Sequence, residues 1–113
     1  MVGRKRGRII NVASVSGTHG IPGQVAYGAS KHGMIGMADV LAQELQPYGI
    51  KVTTICPGAI DTPLWNAENN PYPDDAERMI KSEEVAELIE FVLSRPDSTI
   101  YKRVIFFPDC EWH

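Results

Sequence analysis

Ile50-Lys51-Val52-Thr53-Thr54-Ile55-Cys56, closed by Pro57-Gly58, decides the fold class. Five of its seven side chains are β-branched, and the run does not alternate between apolar and charged positions. Such a run suits a strand buried on both faces, as in a parallel sheet. Upstream, Pro47 and Gly49 end a helical composition that extends from Val25 to about Gln46, with Met34, Met37, Ala38, Leu41 and Leu45 at three- and four-residue intervals. Before it, Ser14 to Gly23 carries Gly17, Gly20, Pro22 and Gly23 and reads as a loop, and Arg8-Ile9-Ile10-Asn11-Val12-Ala13 reads as a first buried strand. A helix between two strands is a βαβ unit. Downstream, residues 57–81 hold four of the eight prolines and form the longest irregular stretch, with one short helix expected near Ala76–Ile80. Ser82 is the expected N-cap of a second helix, with Glu83 and Glu84 at its positive end and Val85, Leu88, Ile89, Val92 and Leu93 as its apolar stripe. Arg95-Pro96-Asp97 stops that helix, and Arg103 to Phe107 reads as a third buried strand. The order β-α-β-loop-α-β predicts an α/β fold, a parallel sheet covered by helices with right-handed crossovers.

The 113 residues, 43% of them hydrophobic and 22% charged, suffice for one modest core. No apolar run approaches the roughly 18 residues of a membrane span, so no membrane partner is expected. Cys56 and Cys110 are too few for a disulfide scaffold and the N-terminus lacks a signal-peptide core, which points to a cytoplasmic protein with reduced thiols. Residues 1–57 hold six basic and two acidic side chains and residues 58–113 five and twelve, so the halves carry +4 and −7 around the net −3. The basic part is mainly Arg4, Lys5, Arg6 and Arg8, with no aromatic interleaved; it reads as a solvated lead into the first strand, not as a nucleic-acid site. His19, His32 and His113 form no metal pattern, and Cys110 with His113 is a lone C-x-x-H, so no metal is expected.

Tyr27 and Lys31 lie four apart near the start of the long helix, on one face and one turn apart. A free phenol titrates near pH 10, and an ammonium within roughly 4–6 Å favours its ionised form, which makes proton exchange with a substrate oxygen feasible. Ser14 follows the first strand, where parallel sheets present residues to ligands in the crevice at their carboxyl ends.

Three ordered motifs, Gly7-Arg8-Ile9-Ile10-Asn11-Val12-Ala13-Ser14-Val15-Ser16-Gly17, Tyr27-Gly28-Ala29-Ser30-Lys31 and Cys56-Pro57-Gly58-Ala59-Ile60-Asp61-Thr62, together resemble the carboxyl-terminal half of a short-chain dehydrogenase/reductase. The resemblance covers about residues 7 to 107. It implies a partial Rossmann-type, doubly wound parallel sheet and hydride transfer between NAD or NADP and a carbonyl or alcohol substrate. It casts Tyr27 as general acid/base, Lys31 as the group that lowers the Tyr27 pKa and binds the nicotinamide ribose, and Ser14 as the residue that orients the substrate oxygen. Pro57, Gly58, Ile60 and Thr62 would hold the nicotinamide, with the Ile60 backbone and the Thr62 hydroxyl near the carboxamide, and residues 63–81 would match the variable substrate lid.

The family's Gly-rich strand-turn-helix for the pyrophosphate, its ribose-reading residue, its Asn-Asn-Ala-Gly segment and its catalytic Asn have no counterpart here. Residues 1–113 are therefore expected to form a single partial domain, either a fragment of a longer chain or a truncated relative that needs a partner to complete the sheet. Gly28, Ala29, Gly33 and Gly36 leave one helix stripe shallow, and each such glycine weakens a helix by about 1 kcal/mol relative to Ala. Close approach to the sheet, the cofactor or a second copy would offset this. In the resembled family this helix packs against its symmetry mate, which implies a homodimer or homotetramer. The alternative function is a non-catalytic interaction module that dimerises through the same helix.

Overall fold

The computed structural model describes residues 3, 6–14, 25–60 and 76–110. Within them three strands, β1 (Gly7–Val12), β2 (Ile50–Pro57) and β3 (Arg103–Phe106), form a parallel sheet in the order β1-β2-β3. Gly7 is level with Ile50 and Val12 with Ile55 on one side of β2, and Thr54 is level with Arg103 and Pro57 with Phe106 on the other. Two helices connect them, α1 (Val25–Leu45) and α2 (Ser82–Leu93). The expected element order and all three strand positions hold to within a residue or two; the loop expected at Ser14–Gly23 lies mostly outside the described residues.

β2 is the centre of the core. Every residue from Val52 to Pro57 is buried, including the hydroxyl-bearing Thr53 and Thr54. Its even-numbered side chains share a face with Ile9, Asn11 and Ala13, because successive strand residues point to opposite faces. That is the face of α1: Ile35 clusters with Ala13 and Cys56, and the Asn11 amide reaches the Met34 carbonyl at 3.5 Å. Thr53, Ile55 and Pro57 are buried on the opposite face, which is also the face of Arg8, whose side chain reaches the turn after α2.

The outer strands are less covered than the sequence suggests. Val12 and Ile105 are each 43% exposed, because an edge strand has a neighbour on one side only. On α1 the buried residues are Ile35 and Ala38, whereas Met37 is 62% exposed on the outer side. α1 ends as expected: Pro47 opens a 3₁₀ turn over Gln46–Tyr48, and Gly49 takes the left-handed conformation (φ 72°) and donates to the Gln46 carbonyl at 3.0 Å. The N-cap of α2 is Lys81, with no side-chain cap, so Ser82 is the first helical residue and not the cap. Glu83 and Glu84 still occupy the favourable first turn, and Leu93 is half exposed instead of completing the buried stripe.

At the amino end of the sheet Arg8 is not a solvated flank. Its Nη2 donates to the carbonyls of Arg95, Pro96 and Thr99 at 3.1, 2.8 and 3.0 Å, which clasps the turn after α2 to β1. Arg103 pairs with Asp39 at 3.0 Å and ties β3 to α1. Both cysteines are free thiols. No described helix, the 21-residue α1 included, is long and apolar enough to cross a membrane.

Candidate active site

The carboxyl end of the sheet is built from three segments that outrun the strands. Ala13 donates to the Ile55 carbonyl at 2.7 Å, which carries the β1–β2 pairing one residue past β1 and delivers the half-buried Ser14 to the strand end. After β2, Gly58 donates to the Phe106 carbonyl at 2.8 Å, so the Pro57-Gly58 turn stays against β3. Pro57 is buried, and Gly58 and Ile60 are half-buried. Ile60 is bridged in parallel to Ile80, whose N–H donates to the Ala59 carbonyl at 3.0 Å.

α1 runs antiparallel to the strands: Ile35 packs at the level of Ala13 and Cys56, and Asp39 at the level of Arg103 and Thr54. Moving from Ile35 toward the helix start at a rise of ~1.5 Å per residue therefore places Lys31 and then Tyr27 beyond the strand ends. Lys31 Nζ lies 5.4 Å from the centre of the Tyr27 ring, a cation–π distance, and 3.8 Å from the Met34 sulfur. Tyr27 is 47% exposed and Lys31 is half-buried. The phenol and the ammonium are thus together, at the end of the sheet where Ser14 and Gly58–Ile60 also lie. Thr62 falls outside the described residues, as do 63–75 of the segment matched to a substrate lid.

The groups gathered here are hydrogen-bond donors and one half-exposed phenol. No described residue forms an ion pair with Lys31, and no described backbone carbonyl accepts the Ile60 N–H. Such a donor set suits the hydroxyls and carboxamide of a nicotinamide riboside. Met34, read from the sequence as packing, also meets the Lys31 ammonium through its sulfur. Ile80 and Ala59 were not legible as site residues, since their contact joins positions 21 apart with no shared motif. Beneath the site Cys56 is fully buried; burial pushes its thiol pKa up, Arg103 opposes the shift and Asp39 adds to it.

A family model described as short chain dehydrogenase matches residues 1–73, which contain the Ser14, Tyr27–Lys31 and Pro57–Thr62 segments. The chain belongs to the short-chain dehydrogenase family. A 3-oxoacyl-[acyl-carrier-protein] reductase, FabG, of Thermotoga maritima is 39% identical over 111 residues, covering 93% of this chain and 45% of that protein. The crystal structure of the corresponding reductase from Bacteroides thetaiotaomicron superposes with a TM-score of 0.77 at 33% identity, covering 97% of this chain and 44% of that one. A metagenomic short-chain oxidoreductase solved in complex with NADP gives a TM-score of 0.71 at 25% identity over 96% of this chain and 41% of that one. The chain therefore spans less than half the length of each of these relatives. They are reductases or oxidoreductases by name and one holds NADP, so nicotinamide-dependent oxidoreduction is the general chemistry of the family to which this chain belongs.

Proposed function

We propose that the chain carries the catalytic part of an NAD(P)-dependent oxidoreductase that moves a hydride between a nicotinamide and the carbon of a carbonyl or alcohol substrate. The observation that carries this reading is the Tyr27–Lys31 pair, 5.4 Å apart and past the strand ends, on the same end of the sheet as the Gly58–Ile60 segment. When bound, the nicotinamide supplies or accepts the hydride. Tyr27 gives a proton from its phenol oxygen to the substrate oxygen in reduction and takes one in oxidation. Ser14 orients that substrate oxygen. Lys31 binds the ribose hydroxyls and sets a positive charge beside the phenol, while Pro57, Gly58, Ile60 and Thr62 hold the nicotinamide ring.

Residues 1–113 serve in this reading as one partial Rossmann-type domain of a cytoplasmic enzyme whose dinucleotide-phosphate cradle comes from elsewhere. Free NAD or NADP accordingly binds this chain weakly on its own, with a dissociation constant well above the low micromolar range. A second reading, a non-catalytic module that dimerises through α1, is favoured by one observation. Met37 and Val40 are 62% and 56% exposed beside Gly33 and Gly36, where an added Cβ would meet nothing within 4 Å. Those glycines therefore do not serve close approach to the chain's own sheet, and a second copy of the helix fits the open stripe. Sedimentation velocity and thermal unfolding, with and without millimolar NADPH, separate the readings. A cofactor-dependent rise in Tm supports the oxidoreductase. A stable oligomer whose Tm ignores NADPH supports the interaction module instead.

A further inference from the structure

The Ala59 carbonyl and the Ile60 N–H belong to one planar peptide unit, and no peptide bond among the described residues is cis. In a trans peptide these two groups point in opposite directions. Donation from the Ile80 N–H to the Ala59 carbonyl at 3.0 Å therefore turns the Ile60 N–H away from Ile80. A parallel bridge uses only the carbonyl before its central residue and the N–H after it, which leaves the Ile60 N–H outside the Ile60–Ile80 pairing. No described backbone carbonyl takes it up, and half-buried backbone donors ordinarily find a partner.

The anchor for this peptide is firm on both sides. Met79 and Ile80 are 5% and 6% exposed, so the donor at residue 80 sits in packed surroundings. On the other side Gly58 is held by the Phe106 carbonyl at 2.8 Å. The Ala59–Ile60 peptide thus has little freedom to rotate.

We propose that Ile80 is a positioning residue that aims the Ile60 N–H at an acceptor oxygen of the ligand. Resting on the function proposed above, that acceptor is the carboxamide oxygen of the nicotinamide. Ile80 acts through its main chain, so the side chain is replaceable and the N–H is not.

The test uses the whole ¹⁵N-labelled chain, with nicotinamide mononucleotide and NADP as probes, and compares Ile80→Pro, which deletes the donor, with Ile80→Ala, which keeps it. Without any probe, the Ile80 amide is expected to exchange at least tenfold more slowly than an exposed amide; exchange at the exposed rate would overturn the proposal whether or not a cofactor binds. With millimolar probe, the Ile60 amide resonance is expected to move in the wild type and in Ile80→Ala. In Ile80→Pro that response should weaken at least tenfold, while the Val52 and Thr54 resonances stay in place as proof of the fold. An equal Ile60 response in Ile80→Pro would overturn the positioning role and leave the oxidoreductase reading standing. A protected Ile80 amide with no response at Ile60, Tyr27 or Lys31 in the wild type would overturn that reading, and the aimed acceptor with it.

Discussion

The two ends of the three-stranded sheet use their polar groups in opposite ways. At the amino end the guanidinium of Arg8 reaches three carbonyls of the turn after α2, Arg103 pairs with Asp39, and Gly49 closes the turn into β2. Those groups are committed to holding strands and helices in place. At the carboxyl end the Lys31 ammonium meets only a ring face and a thioether among described partners, Tyr27 is half exposed, and the Ile60 N–H has no described backbone acceptor. The difference teaches that the polar groups holding the fold lie apart, along the strand axis, from the carboxyl end where parallel sheets place ligands and where the proposed chemistry sits.

Substitutions break that comparison most sharply when they affect one end without the other. Lys31→Met at the carboxyl end is expected to slow NADPH-dependent reduction by about 10²-fold or more while leaving the urea midpoint unchanged, as for loss of a group assisting proton transfer. Steady-state kinetics beside a urea titration checks both halves of that statement. Arg8→Met at the amino end should do the reverse. Losing a charged donor shared by three carbonyls is expected to destabilise by about 1–3 kcal/mol, with probe-induced shifts at Lys31 and Gly58 unaltered.

Smaller effects sharpen the contrast. Because burial raises the Cys56 thiol pKa, the folded chain holds the thiol neutral after the unfolded chain has begun to release its proton. Its contribution to stability is therefore fully present below the ordinary thiol range, about 8.5, and is lost as pH climbs through that range toward the folded value. Urea midpoints at pH 7 and 10 should fall less in Cys56→Ala than in the wild type. Asp39→Asn is expected to cost least, about 0.2–1 kcal/mol and less in high salt, since both partners are about one-third exposed. A loss of several kcal/mol there would mean that the amino end depends on one ion pair and not on Arg8.

What was legible in the sequence follows the same division. Local signals placed β2, the Pro47–Gly49 stop of α1 and the one-turn spacing of Tyr27 and Lys31, because strand composition, turn chemistry and helix periodicity act over a few residues. Features set by distant partners were not legible. Arg8 reads as a solvated flank because its acceptors lie 87 to 91 positions away. Met37 and Leu93 read as core from their spacing, yet the sheet is too narrow to cover them. Val12 and Ile105 read as buried, but an edge strand lacks the neighbour that would cover it. Toward the proposed site, the Tyr27–Lys31 spacing and the Pro57-Gly58 turn carry local signals, whereas the Ile80 donor to the Ala59 carbonyl joins positions 21 apart and carries none.

The most direct test of the central claim, that the carboxyl end holds an acid/base phenol for nicotinamide chemistry, is paired turnover and unfolding of the wild type and Tyr27→Phe in the same NADPH-consuming preparation. The account expects turnover to fall by about 10²–10⁴-fold with no change in Tm, because the deleted hydroxyl belongs to a half-exposed ring. A Tyr27→Phe chain that turns over at the wild-type rate would contradict it.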